Sequence, residues 1–128
     1  MGKALHLTSS TSILLLALGF AVKHFIFDFL WQTKDEVENK GKYGNPKGAL
    51  HSLKHALGTL LVLFYFTPLY YLLAILDGLI HYHIDWVKMN YGEQDHAKSQ
   101  FWRDLGLDQL AHTLTYIALT AVAINFKY

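Results

Sequence analysis

The chain has 128 residues, 52% hydrophobic and 15% aromatic, with a formal net charge of +1 and no cysteine. This leaves a very apolar soluble domain or a small membrane protein. The missing thiols exclude a disulfide framework, an iron–sulfur cluster and a thiolate zinc site, and no basic cluster interleaved with aromatics offers a nucleic-acid surface.

The first predicted helix runs from about Ser9 to Trp31, with N-caps offered by Ser9 to Ser12 and Trp31 placed as an interface aromatic. Its apolar run resembles the core of a signal peptide, but Lys23, His24 and Asp28 follow it where a small-residue cleavage site would stand, so it reads as a membrane helix. Gln32 to Lys47, with Gly41, Gly44, Asn45 and Pro46, reads as a polar connector. A single helix from Lys47 to Lys88 would run on the order of 60 Å, about twice the bilayer core. Thr67 and Pro68 break it, as N-cap and first-turn proline, into helices of about Gly48 to Phe66 and Pro68 to Met89. Asn90 to Asp104 is a second polar loop, and a last helix spans about Leu105 to Phe126.

Ala56 to Leu76, Ile13 to Val22 and Leu110 to Phe126 hold no Asp, Glu, Lys or Arg. Such stretches approach or reach the roughly 20 apolar residues that cross a hydrocarbon core. The expected fold is all-α: a single integral membrane domain over residues 1–128, an up-down-up-down bundle of four transmembrane helices.

Each helix carries two metal-capable side chains four residues apart: His24 and Asp28, His51 and His55, His81 and Asp85, Asp108 and His112. That spacing puts both members of a pair on one helical face. The pairs lie near the C-terminal ends of the first and third helices and near the N-terminal ends of the second and fourth. An antiparallel bundle therefore brings all four to one membrane face. Pairing about Thr67 sets His51 between His81 and Asp85, and His55 between Asp77 and His81.

An unpaired carboxylate at mid-helix in lipid costs about 2.5 to 3.5 kcal/mol, so Asp28, Asp77, Asp85 and Asp108 together cost on the order of 10 kcal/mol. Divalent cations offset that, and carboxylate with imidazole suits zinc, iron or manganese. Five His and three or four Asp exceed one tetrahedral ion, so two ions are expected. Asp77 lies deepest and reads as a ligand, a partner of a ligand, a helix contact or, if unligated, a general base. Lys88 reads either as a holder of a substrate phosphate or as a snorkelling lysine paired with Asp85. Lys54 has the same two readings, and Gln32 and Gln109 are candidates to orient a ligand. His83 points away from His81, while His6 and His96 read as surface residues.

The segments KHFIFDFLWQ (Lys23 to Gln32), HSLKH (His51 to His55), HYHIDWVK (His81 to Lys88) and DQLAH (Asp108 to His112) resemble a family of small bacterial and phage membrane proteins known as a domain of unknown function. The resemblance covers nearly the whole chain. It implies four membrane helices with clustered polar residues, in a bacterial inner membrane, and no particular reaction.

Lys34, Lys40, Lys42, Lys47, Lys88, Lys98 and Arg103 flank the site, against Lys3 and Lys127 on the other side. The positive-inside rule puts the site and both connecting loops in the cytoplasm and both termini outside. The leading expectation is a binuclear metallohydrolase acting on a membrane lipid or lipid-linked (phospho)ester. The alternatives are a divalent metal-ion transporter or sensor, and a non-enzymatic bundle held by a His/Asp polar network. Haem ligation fits poorly, because carboxylates stand beside each His. The small size leaves a homo-oligomer open.

Overall fold

The computed structural model describes residues 7–128; His6 and Lys3 lie outside this range. The chain forms α1 (Ser9–Phe25), continued by a π-helical turn (Ile26–Leu30), α2 (Lys34–Asn39), α3 (Pro46–Leu63), α4 (Tyr70–Tyr91) and α5 (Ser99–Asn125). All regular structure among the described residues is helical. α1, α3, α4 and α5 pack in chain order around a ring, and α2 lies against α3. Leu7, Phe66 and Tyr128 meet at one end of the ring, where Tyr128 N–H donates to the Phe66 carbonyl at 3.3 Å and Lys127 Nζ to the Leu7 carbonyl at 3.5 Å. The polar loops close the other end.

Each boundary that departs from expectation has a local cause. α1 is capped by Thr8, whose Oγ1 accepts from the Thr11 N–H. Near its end the helix widens, with Trp31 N–H donating to the Ile26 carbonyl at 2.8 Å across five residues. The expected connector Gln32 to Lys47 contains a helix, α2. Thr33 and Glu36 form a capping box there, each side chain taking the other's backbone N–H. α3 begins earlier than Gly48 because Asn45 caps it and Pro46 fills its first turn.

Thr67 does not cap a helix at Pro68, and α4 begins at Tyr70. The Thr67 hydroxyl instead donates to the Phe126 carbonyl at 2.8 Å and accepts from the Leu69 N–H, tying the α3–α4 turn to the end of α5. α5 extends back to Ser99, with its polar first two turns anchored by Asp104 Oδ2 accepting the Glu93 N–H at 3.0 Å.

Along the bundle axis the interior has three levels. Near the α3–α4 turn it is apolar: Leu16, Phe20, Leu63, Leu73, Tyr116, Leu119 and Ala123. Phe20 stacks on Tyr116 with centroids 4.9 Å apart. Next comes a polar layer of Lys23, Thr59, Asp77 and the Tyr116 hydroxyl. At the loop end are the histidines and aspartates. The outward faces are the reverse: Leu50, Leu53, Leu57 and Leu61 on α3, and Leu72, Ile75, Leu76 and Leu79 on α4, are all exposed. Two helices, α1 through its π turn (Ser9–Leu30) and α5, are long and apolar enough to cross a membrane.

Candidate metal centre

Asp28 sits in the π-helical turn, which packs against α3. Its Oδ1 lies 3.0 Å from His51 Nε2, 2.8 Å from His55 Nε2 and 3.6 Å from His81 Nε2. His51 Nε2 is 3.2 Å from His81 Nε2, and the His55 and His81 rings stack with centroids 3.6 Å apart. Small residues permit the approach. Gly58 leaves space that Lys23 and Phe27 occupy, and Gly78 admits the Ala56 side chain between α3 and α4.

A second group shares His81. Asp85 Oδ2 is 3.2 Å from His81 Nε2 and 3.3 Å from His51 Nε2, while its Oδ1 is 3.4 Å from His112 Nε2. Asp108 Oδ1 is 3.6 Å from His112 Nε2. The four helical pairs thus meet in one cluster, with Asp28, His51, His55 and His81 in one tight group and His81, Asp85 and His112 in another. Asp108 and His24 flank these groups.

These atoms fit a cation better than they fit one another. Ligands about 2.0–2.1 Å from one tetrahedral ion stand roughly 3.3 Å apart, and the contacts above span 2.8 to 3.6 Å. One carboxylate oxygen has two lone pairs, so Asp28 Oδ1 cannot accept from three imidazoles at once. His112 Nε2, Asp85 Oδ2 and Asp108 Oδ1 are buried without a hydrogen-bond partner, as are Nδ1 of His51, His55 and His81. Of these, His112 Nε2, Asp85 Oδ2 and Asp108 Oδ1 lie within the cluster, where an ion would satisfy them; buried and unpaired they are costly.

His24 has a different role from its sequence partners. The Lys23 ammonium has only protons to give, so the Tyr116 oxygen accepts from it at 3.3 Å. The Asp108 carboxylate accepts, so Gln109 turns its NH2 to Asp108 and its Oε1 to His24; His24 Nε2 therefore carries a proton, donates to Gln109 Oε1 at 2.8 Å and faces Asp28 Oδ2 at 3.2 Å. Nδ1 is left to accept from the Tyr116 hydroxyl at 2.9 Å. In this tautomer His24 orients Asp28 and has no free lone pair for a metal. Gln109 in turn donates to Asp108 Oδ2 at 3.0 Å.

Of the four readings of Asp77, the contacts match the helix contact: its Oδ2 accepts from Lys23 Nζ at 2.7 Å and from the Thr59 hydroxyl at 2.5 Å. Lys88 Nζ lies 3.5 Å from Asp108 Oδ2, so its partner is the carboxylate one helix over and not Asp85. Gln32 donates to the Asp28 carbonyl. His83 is exposed and bonds to Tyr43 and to the Leu79 carbonyl, outside the cluster, and His96 is exposed.

α2 supplies residues the spacing argument missed. Glu36 is buried, with Oε2 3.7 Å from His51 Nδ1 and Oε1 2.5 Å from Lys54 Nζ. Lys40 is also buried, with Nζ 3.6 Å from Asp85 Oδ2 and 2.9 Å from Gln32 Oε1. The Thr-x-x-Glu pattern of the capping box was the available signal.

Residues 13–127 match the family described as Protein of unknown function (DUF3307). The chain belongs to this family. The matched span takes in every member of the cluster, so the site lies wholly within the DUF3307 domain. No curated protein and no solved structure matches the chain.

Proposed function

We propose that this DUF3307 chain is an intramembrane metal-dependent hydrolase that acts on a lipid or lipid-linked phosphoester at the cytoplasmic interface. The observation that carries this reading is Asp28 Oδ1 surrounded by the Nε2 atoms of His51, His55 and His81, ligands drawn from three helices. Two adjacent ions are supported by the second group and by Asp85, whose two oxygens face different histidines. His81 Nε2 would serve one of them only. Charge balance supports two ions less strongly than ligand geometry, since Lys23 already neutralises Asp77. Zinc, iron and manganese all suit this donor set. Bound ions would supply Lewis-acid polarisation and an activated water.

Four membrane spans are supported by the inverted arrangement of α3 and α4, whose outward faces are apolar and whose inward faces carry the ionisable groups. The lysines of the loop end favour a cytoplasmic site by the positive-inside rule. The apolar packing of Leu16, Phe20, Leu63 and Leu119 across the rest of the interior favours an enzyme over a conduit. Lys88 would meet the anionic part of the substrate.

Elemental analysis of the purified protein, paired with turnover of lipid phosphoesters in vesicles, tests this reading. Wild type is expected to hold divalent metal, and His81→Ala to lose both metal and turnover while eluting as the folded protein does. Unchanged turnover in His81→Ala would sink the assignment.

A further inference from the structure

A cleft of about 660 Å³ lies between α4 and α5, distinct from the polar interior yet reaching its edge. Ile80, Ile84 and Val87 on one side and Leu107 and Ala111 on the other form apolar walls. Lys88 and Asp108 line it as well, and Asp108 Oδ1 stands 3.6 Å from His112 Nε2 in the cluster. Val87 and Leu107 are half exposed or more, so the cleft opens sideways from the bundle. One of its walls belongs to α5, which is long and apolar enough to cross a membrane.

We propose that this cleft binds the apolar chain of an anionic phospholipid and brings its phosphate to Lys88, beside Asp108 and His112. The encounter of that phosphate with metal rests on the function proposed above; the binding of the chain does not. Three features select this occupant over another apolar ligand. Lining residues along α4 and its C-cap run from Leu79 to Gly92, about 20 Å at 1.5 Å per residue. That matches the depth of one leaflet with its headgroups, roughly half of a 40–45 Å bilayer. The cation lies at the loop end of the bundle, where a headgroup would sit, and the Lys88 side chain remains 21% exposed there while facing Asp108. Finally, each carboxylate that lines the cleft has a cation beside it: Asp104 Oδ1 lies 3.5 Å from Arg103 Nε, and Asp108 Oδ2 lies 3.5 Å from Lys88 Nζ. An anion arriving at the mouth therefore competes with Asp108 for Lys88, the lysine among the lining residues.

The test uses the full chain in phosphatidylcholine nanodiscs doped with phosphatidic acid carrying a diazirine on one acyl chain, with the matching diacylglycerol probe in parallel. Metal per chain is measured on each sample. Photolabelling is expected to concentrate at Ile80, Ile84, Leu107 and Ala111 over the outward positions Leu61 and Leu72. Ala111→Trp, which fills the cleft, is expected to remove that enrichment. Lys88→Gln is expected to weaken the phosphatidic acid signal by about tenfold, as for loss of one charged hydrogen bond, and to leave the diacylglycerol signal alone.

Even labelling of Leu61, Leu72 and the cleft in the wild type overturns the proposal, whatever the fate of Ala111→Trp. Equal phosphatidic acid labelling in wild type and Lys88→Gln overturns the phosphate contact. Cleft labelling in a protein that holds no metal sustains the lipid site and removes the hydrolase reading; metal binding with even labelling does the opposite.

Discussion

Lys23 Nζ on α1 stands 2.7 Å from Asp77 Oδ2 on α4, with both side chains at most 3% exposed. This ion pair separates the apolar core from the histidine cluster. Removing one partner leaves a buried charge uncompensated, so Lys23→Met or Asp77→Leu alone is expected to cost about 3–5 kcal/mol. The double variant replaces both with apolar groups and is expected to recover most of that loss. Unfolding in mild detergent, read as a double-mutant cycle, checks this; additive losses would show that the two residues act independently.

His24 and His55 both face Asp28, but His24 Nε2 is also held by Gln109 Oε1 at 2.8 Å, whereas His55 Nε2 has Asp28 Oδ1 as its hydrogen-bond partner. His55→Gln is expected to release metal. His24→Gln is expected to keep it with affinity lowered about 10–100-fold, the usual effect of losing a group that orients a ligand. A competition titration against a chelator separates the two; equal loss would make His24 a ligand as well.

Gly58 on α3 packs against Lys23 of α1 and Phe27 of the π-helical turn. A Cβ there would lie 2.6 Å from Phe27 Cε2 and 2.7 Å from Lys23 Cγ. Gly58→Val is therefore expected to cost about 1–3 kcal/mol by overpacking and to disturb the Lys23–Asp77 pair. Thermal unfolding of this variant beside Gly106→Val, where the space is open, isolates the steric effect.

Burial pushes the Glu36 carboxyl up, but hydrogen bonds from Lys54 and the Thr33 N–H, with the Lys54 charge, outweigh it and hold the group below the usual carboxylate range. A group lowered in the folded state contributes stability above its unfolded value, about 4.3. That contribution is lost as pH falls through the folded value. In chelator-treated protein, the protection of the α2 amides relative to their intrinsic exchange rate at each pH is expected to fall as pH drops below about 4. Glu36→Gln is expected to exchange fast at neutral pH and to lack that acid-dependent change.

The spacing of four in His51 and His55, or in His81 and Asp85, made the ligand faces legible, because helical periodicity is a local property of the chain. So was their meeting at one end, which follows from short connections and antiparallel packing. α2 was obscured by its polarity: a six-residue helix has too little periodicity to stand out, and only the Thr33–Glu36 box marked it. The start of α5 was misplaced for a related reason, since Ser99, Gln100, Arg103 and Asp104 interrupt the apolar pattern of its first two turns.

By itself the sequence determined an all-helical chain, the four spaced His/Asp pairs and their gathering at the loop end, since helix period, turn residues and connection lengths are written locally. Tertiary structure alone decided which of those residues face one another and which are held by other partners. Lys23 became the partner of Asp77, and Gln109, oriented by Asp108, fixed the Nε2 proton of His24. A π-helical turn aimed Asp28 at three imidazoles. Proton inventory and line of sight depend on neighbours from other helices, and no spacing within one helix encodes them.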